Sequence, residues 1–155
     1  MIITFVGHSM GIPDLSEKIR QEILFRVPEG EHVVFYCGGY GEFDLICSRV
    51  CRSLKDVWPD SETVFVTPYL NPSQQQRIRE LLENRLYDSS VYPPLENVPP
   101  RFAILKRNEW MIEKADLVFA YVNVSYGGAA KGFAYAKQKG KTVINLADSS
   151  EIFRK

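Results

Sequence analysis

The stretch YVNVSYGGAAKGFAYAKQKGK (residues 121–141) decides which fold the sequence indicates. It reads as the end of an apolar strand, a turn with the adjacent glycines Gly127 and Gly128, and a helix rich in small residues. A strand, a glycine turn and a helix in this order are typical of a parallel α/β sheet, and a helix N-terminus after such a turn can hold a phosphate. Similar turns also occur where nothing binds, so the turn alone leaves both interpretations open.

The rest of the chain repeats this alternation of apolar strands and helical patterns. The pattern predicts a single-domain α/β fold, Rossmann-like and doubly wound, with a mainly parallel five-stranded sheet and helices on both faces. The predicted domain covers residues 1–148, followed by a short tail of residues 149–155. The predicted strands lie within residues 2–7, 33–37, 62–69, 115–122 and 141–148.

One segment does not fit the alternation. Residues 87–101 contain four of the nine prolines, and we therefore predict a loop without helix or strand. Such a loop could cover a binding pocket as a lid.

Composition excludes several classes of function. The chain has 155 residues, 45% of them hydrophobic, and a formal net charge of zero, so we expect neither membrane association nor nucleic acid as the main ligand. No apolar run is long enough to cross a bilayer, and the first residues resemble a strand and not a signal peptide. The three cysteines Cys37, Cys47 and Cys51 lack the spacing of a disulfide or metal framework, which favours buried thiols, no metal site and a cytoplasmic location.

Three turns that contain glycine or histidine come after strands of the predicted fold: Gly7-His8, Gly38-Gly39 and Gly127-Gly128. Because the carboxyl ends of parallel strands share one edge of the sheet, we expect the three turns to lie on the same side. Their convergence is stronger evidence for a binding site than any one of them.

The turn before the last helix is the best candidate for holding a phosphate. Ser125 can donate a hydrogen bond, Gly127 and Gly128 leave their backbone accessible, and Lys131 adds positive charge to the first helical turn. Upstream, Arg107 offers a fork of donors for phosphate, and Asn108 follows it.

The turn CGGYGEFD (residues 37–44) suits a different part of a ligand. Gly38 and Gly39 leave the backbone accessible, but Glu42 and Asp44 would repel a phosphate, so a ribose or base hydroxyl fits better. His8 could donate to a phosphate or carry a proton.

The order and spacing of five stretches resemble those of the SLOG superfamily of Rossmann-like proteins, which is named for the Smf/DprA and LOG groups. The stretches are FVGHS, CGGYGEFD, VTPY, RNEWMIEKADLVFAY and GGAAKGFAYAKQKGKTVI. The resemblance spans nearly the whole chain and is strongest to small uncharacterised bacterial members. It implies a nucleotide or nucleotide-derived ligand, such as a nucleoside monophosphate or an ADP-ribose-like molecule, bound over the strand ends.

The resemblance to the LOG phosphoribohydrolases, which release a base from a nucleoside monophosphate, is only partial. Arg107 stands at their arginine and Asn108 at their lysine, and the later residues that match are Met111, Ala115-Asp116 and Gly127-Gly128. The departures are Ser125-Tyr126 at their proline region, Ala130-Lys131 at their Gly-Thr and Ala134 at their acidic position. The change at Ala134 removes the carboxylate that helps to break the glycosidic bond in those enzymes.

These observations give three functional hypotheses. The first is binding or sensing of a nucleotide-derived small molecule without catalysis and without a further cofactor. The second is an N-glycosidase that uses Glu42 or Asp44, with Arg107 as a further catalytic candidate. The third and weakest is single-stranded DNA binding, in which arginines such as Arg77 and Arg79 and the lysine Lys106 would form a basic groove. We also expect a homodimer, because the middle helices carry more apolar surface than the sheet can cover.

Overall fold

The computed structural model describes residues 1–147 and shows a Rossmann-like α/β domain built on one parallel sheet. The predicted end of the domain at residue 148 and the tail of residues 149–155 lie outside the described residues. The sheet has six strands among these residues and not the predicted five. The strands are β1 (Ile2–Gly7), β2 (Val34–Cys37), β3 (Glu62–Val66), β4 (Ser89–Val91), β5 (Leu117–Tyr121) and β6 (Thr142–Asn145). The helices are α1 (Ser16–Arg26), α2 (Glu42–Ser53), α3 (Pro72–Glu83), α4 (Ala103–Lys114) and α5 (Gly128–Gln138), with single 3₁₀ turns at Leu54–Asp56 and Pro100–Phe102.

The strand order is β4-β3-β2-β1-β5-β6, and every neighbouring pair is parallel. The chain winds outward from β1 in one direction through β4, then returns to the other side of β1 with β5. The order therefore reverses between β1 and β5, where Phe5 is paired with Phe119 and Gly7 with Tyr121. In open parallel sheets, the crevice above such a reversal is the usual place for a ligand.

Helices cover both faces of the sheet, as the doubly wound prediction requires. On one face, Ile3 and Phe5 of β1 belong to a core that also contains Ile19 and Ile23 of α1. On the other face, Val6 belongs to a core formed with α4 and α5. Successive β1 residues thus point into different cores, which explains why the strand is apolar except at Thr4.

The additional strand lies inside the proline-rich segment of residues 87–101, for which a loop without helix or strand is predicted, so that prediction is wrong at β4. β4 pairs with β3, and the Asp88 carboxylate accepts a hydrogen bond from the backbone N–H of Thr63 at 2.7 Å. The prolines follow β4 and do not interrupt it, and β4 lies at the edge of the sheet. Three residues with two serines are too short and too polar to show a strand pattern in sequence.

The helix boundaries follow local chemistry closely at α3. The Asn71 side chain accepts a hydrogen bond from the Gln74 backbone N–H at 2.9 Å, and Pro72 occupies the first helical position. At α2 the buried residues include Phe43, Cys47 and Cys51, while Leu45 is half exposed. The Phe43 ring fills the space beside Gly7, where a Cβ would overlap with it.

Two general expectations can be compared with the described residues. Cys37, Cys47 and Cys51 are all buried free thiols, as predicted. Within residues 1–147, no helix has the length and apolar character needed to cross a bilayer.

Candidate functional site

A cleft of about 500 Å³ opens between the carboxyl ends of β1 and β5, at the point where the strand order reverses. We call it the switch-point cleft. Five segments surround it: the loop after β1, the loop after β2 with the start of α2, the loop after β5, the first residues of α5 and one face of α4. Its volume falls in the range of about 300–1,000 Å³ that is common for small-molecule sites.

The start of α5 forms one wall of the cleft. Gly127 precedes the helix with φ of 90°, a conformation that favours glycine, and Gly128 is its first residue. Both are exposed, and a Cβ at either position would meet no protein atom within 4 Å. No side chain of the described residues caps this helix. Its first N–H groups lack intrahelical acceptors and carry the positive end of the helix dipole, so this wall suits an anion.

Arg107 of α4 also lines the cleft, although it is only 1% exposed. Its Nη1 donates to the carbonyls of Gly38 at 2.8 Å and Val66 at 2.7 Å, while its Nε donates to Asn108 Oδ1 at 2.9 Å. Burial lowers the pKa of Arg107, and the nearby charge of Asp44 opposes this shift. Arginine stays protonated under such conditions, so the cleft floor carries a fixed positive charge.

Asp44 also lines the cleft and accepts a hydrogen bond from the Tyr40 backbone N–H at 3.1 Å. Desolvation raises the pKa of Asp44 to about 6, although Arg107 and the bond from Tyr40 both favour the ionised form. Part of the carboxylate population therefore becomes protonated just below neutral pH. A group with this property can act as an acid or a base.

His8 lies on the opposite wall, after β1. Its Nε2 accepts a hydrogen bond from the Asn123 backbone N–H at 3.2 Å, and burial lowers the pKa of the ring. His8 is therefore neutral at pH 7, with its proton on Nδ1. This arrangement ties together the loops that follow β1 and β5.

The structure does not bring all the predicted site residues to the cleft. Those that line it are Gly7, His8, Asp44, Arg107, Asn108, Gly127 and Gly128. Those that do not line it are Gly38, Gly39, Glu42, Ser125 and Lys131.

The Gly38-Gly39 turn is occupied by the protein itself. The Gly38 carbonyl accepts from Arg107, and the Gly39 carbonyl accepts from Arg77 Nη2 at 3.1 Å. Gly39 has φ of 73°, and a Cβ there would overlap with the Phe65 ring. These two glycines allow close packing.

Glu42 and Lys131 have other surroundings. Glu42 Oε2 accepts from the Ile12 backbone N–H at 3.0 Å, so this carboxylate holds the loop after β1. Lys131 lines a separate groove of about 300 Å³ between α4 and α5, together with Ala134 and Tyr135. That groove adjoins the switch-point cleft, since Asn108 and Gly128 line both.

Several lining residues were missed by the sequence analysis. Met10, Tyr40, Ile104, Asn123 and Tyr126 all line the cleft. Met10 and Tyr126 could have been noticed, because each is a large side chain within a turn that follows a predicted strand. Among residues 1–147, no group of three or more His, Cys, Asp or Glu side chains is arranged to hold a metal ion.

In structure, the chain is similar to DNA processing protein A (DprA) from two bacteria. The Streptococcus pneumoniae protein matches with a TM-score of 0.60 and 16% identity, over 91% of this chain and 48% of that chain. The Helicobacter pylori protein matches with a TM-score of 0.58 and 15% identity, over 92% of this chain and 63% of that chain. The chain thus spans about half of the first protein and less than two thirds of the second.

At such identities the similarity establishes a shared fold. It agrees with the SLOG resemblance at the level of the fold, without distinguishing one branch from another. No protein-family model matches the chain, and no curated protein matches it in sequence.

Proposed function

We propose that the chain binds a nucleotide or a nucleotide-derived ligand in the switch-point cleft, with a phosphate at the start of α5. The observation that carries the proposal is an uncapped helix start, with Gly127 and Gly128 exposed in a cleft at the reversal of strand order. Backbone N–H groups at such a position bind phosphate without any cationic side chain. The SLOG resemblance supports the same ligand class.

In this proposal Arg107 favours the anionic ligand through its positive charge more than through hydrogen bonds to the ligand. Its Nη1 and Nε already donate to protein acceptors, and the side chain is almost fully buried. A buried charge acts through a low dielectric, so it favours an anion in the cleft even without touching it. The ionised Asp44 carboxylate repels a highly charged anionic ligand at pH 7, and this repulsion is weaker below pH 6, where more of the carboxylate is protonated.

The proposal is tested by placing a carboxylate at the proposed phosphate position, the start of α5. In Gly128→Asp, the new side chain occupies the open space at the first helical residue and repels phosphate, while an acid at this position favours the helix itself. Calorimetry with adenosine 5′-monophosphate and ADP-ribose should show binding by the wild type and none by Gly128→Asp. Gln138→Glu makes the same charge change at the other end of α5 and should bind normally.

Thermal unfolding of the same variants separates binding from folding. Gly128→Asp should unfold within a few degrees of the wild type. If the wild type binds neither ligand at millimolar concentration, or if Gly128→Asp binds both as well as the wild type, the proposal is wrong.

A second candidate function is hydrolysis of the N-glycosidic bond of a bound nucleotide. The observation that favours it is Asp44, which lines the cleft and whose pKa is raised to about 6. Of the two acids considered, Glu42 is held by Ile12 outside the cleft, so Asp44 is the one that could protonate a leaving base or activate water. Release of free base from nucleoside monophosphates, lost in Asp44→Asn and kept in Glu42→Gln, would establish this activity.

A third candidate is single-stranded DNA, because the Helicobacter pylori DprA structure is described as showing a unique single-stranded DNA binding mode. The start of α5 could hold one phosphate of a strand. The predicted basic groove is less favourable, since Arg77 contacts the Gly39 carbonyl and the Tyr40 ring, and Lys106 pairs with Glu109 at 3.1 Å. A gel shift with an oligonucleotide at low salt distinguishes this candidate from mononucleotide binding.

A further inference from the structure

The rim of the switch-point cleft is apolar, in contrast to its floor. Three large apolar side chains line the cleft and remain exposed: Met10 at 74%, Tyr126 at 69% and Ile104 at 40%. They come from three separate segments, namely the loop after β1, the loop before α5, and α4. A single exposed apolar side chain is ordinary, but three around one cleft indicate a surface that a partner covers.

The side chains of the floor and of the rim together indicate which kind of ligand the cleft suits. The floor offers the charges of Arg107 and Asp44 and the start of α5, which suit a phosphate and a polar linker. The rim offers an aromatic ring and a thioether, which both favour contact with a flat π-system. An occupant with an anionic end and a planar apolar end satisfies both, whereas a bare phosphate or a sugar phosphate leaves the rim uncovered.

The chain itself places the two ends next to each other. Tyr126 immediately precedes Gly127, so the aromatic ring begins within one residue of the proposed phosphate position. Met10 lies in the loop after β1, and the hydrogen bond from Asn123 to His8 ties that loop to the segment before Tyr126. The two rim side chains therefore belong to segments that the fold already holds together.

We infer that the rim formed by Met10, Ile104 and Tyr126 is a nucleobase subsite, in which the base stacks on the Tyr126 ring and contacts Met10. This inference rests on the proposed function and makes it more specific. It moves the base away from the Gly38-Gly39 turn, whose carbonyls are occupied by Arg107 and Arg77. The subsite takes a planar aromatic base, either of a mononucleotide or of one nucleotide in a strand.

The experiment compares four probes by calorimetry: adenosine 5′-monophosphate, ribose 5-phosphate, adenosine and a short oligodeoxyadenylate. The base should make adenosine 5′-monophosphate bind about 10-fold more tightly than ribose 5-phosphate, as stacking on an aromatic side chain typically does. Tyr126→Ala should abolish this difference, and Met10→Ala should reduce it. Tyr126→Phe keeps the ring and should retain the difference.

Phe25→Ala provides the matched control, since Phe25 is an exposed aromatic residue (83%) on α1, outside the cleft. Its affinity for all four probes should equal that of the wild type. Binding of adenosine that is lost in Tyr126→Ala supports the subsite independently of any phosphate.

The outcomes separate this inference from the proposed function. If ribose 5-phosphate and adenosine 5′-monophosphate bind equally well, the base subsite is wrong and the phosphate site stands. If only the oligonucleotide binds, and Tyr126→Ala removes that binding, the subsite is correct and the base that it holds belongs to a nucleic-acid strand. If none of the four probes binds and ADP-ribose does not bind either, both the subsite and the proposed function are wrong.

Discussion

Two helices of this protein begin in the same way, and comparing them shows what a glycine turn can and cannot reveal. Gly41 before α2 has φ of 90° and ψ of 170°, and Gly127 before α5 has φ of 90° and ψ of 177°. Both turns follow strands of one parallel sheet and lie at the same edge. Their sequences, GGYGEF and SYGGAA, gave similar reasons to expect a ligand.

Their surroundings differ completely. At α2 the Glu42 backbone N–H donates to the Ser9 carbonyl at 2.8 Å, and a Cβ on Gly41 would lie 2.7 Å from the Ser9 Cα. At α5 a Cβ on Gly127 or Gly128 would meet nothing. The first turn is filled by the protein's own loop, and the second is open to a ligand. The difference arises from neighbouring segments and not from the turns themselves.

The largest expected effect comes from Arg107, which connects the two regions. Its guanidinium supports the filled turn through the Gly38 carbonyl and also lines the open cleft. Arg107→Met should lower the free energy of unfolding by about 4 kcal/mol, because the carbonyls of Gly38 and Val66 lose their donor inside the protein and Asp44 loses a cation. Urea denaturation measures this loss.

The control variant Arg79→Met removes an exposed arginine and should change stability by less than about 0.5 kcal/mol. A loss below about 1 kcal/mol for Arg107→Met would mean that the filled turn does not depend on this residue.

The next prediction compares the turns directly by adding one methyl group to each. Gly39→Ala should cost about 3 kcal/mol, since φ of 73° disfavours a side chain and the Phe65 ring cannot move aside freely. Gly128→Ala should change stability by less than about 1 kcal/mol, because its surroundings are open and alanine favours a helix. Equal losses in the two variants would contradict the distinction between a filled and an open turn.

The smallest effect concerns Asp44, which lies between the two regions. Its pKa is raised to about 6, so ionisation of this carboxylate is less favourable in the folded protein than in the unfolded chain. The stability associated with its protonated form is present below about pH 4 and is lost as the pH rises through about 6, by about 2 kcal/mol between pH 4 and pH 7. Unfolding of the wild type and of Asp44→Asn at a series of pH values checks this.

In Asp44→Asn the loss of stability between pH 4 and pH 7 should be smaller by that amount. The introduced amide carries no charge, whereas its oxygen can still accept from the Tyr40 backbone N–H. Parallel pH profiles of the two proteins would show that Asp44 does not titrate in this range. Both proteins contain His8, whose pKa is lowered by burial, so its titration affects the two pH profiles alike.

The alternation of strands and helices was sufficient to predict the fold class, because buried parallel strands such as β1 and β5 are almost entirely apolar. The same logic missed β4, whose two serines and short length leave no periodic signal. In the site, the sequence indicated the α5 turn, since a glycine pair before a helix of small residues is a local pattern. Whether Gly38 and Gly39 face a cleft or an aromatic ring depends on Phe65, which is distant in sequence.

The cleft rim illustrates a second limit. Met10 and Tyr126 lie near opposite ends of the chain, and no local pattern relates them. They line one cleft because β1 and β5 are neighbours in the sheet, which becomes evident only when the strand order is known. The sequence could therefore indicate the proposed phosphate position but not the apolar surface beside it.

The way Arg107 is held has a consequence for kinetics. Carbonyls at the ends of two strands fix its guanidinium, so the electrostatic field of the cleft exists before any molecule enters. Binding of the proposed ligand should therefore need no slow rearrangement of the cleft and should cost little conformational entropy. In stopped-flow mixing, the observed rate should rise in direct proportion to ligand concentration without reaching a plateau.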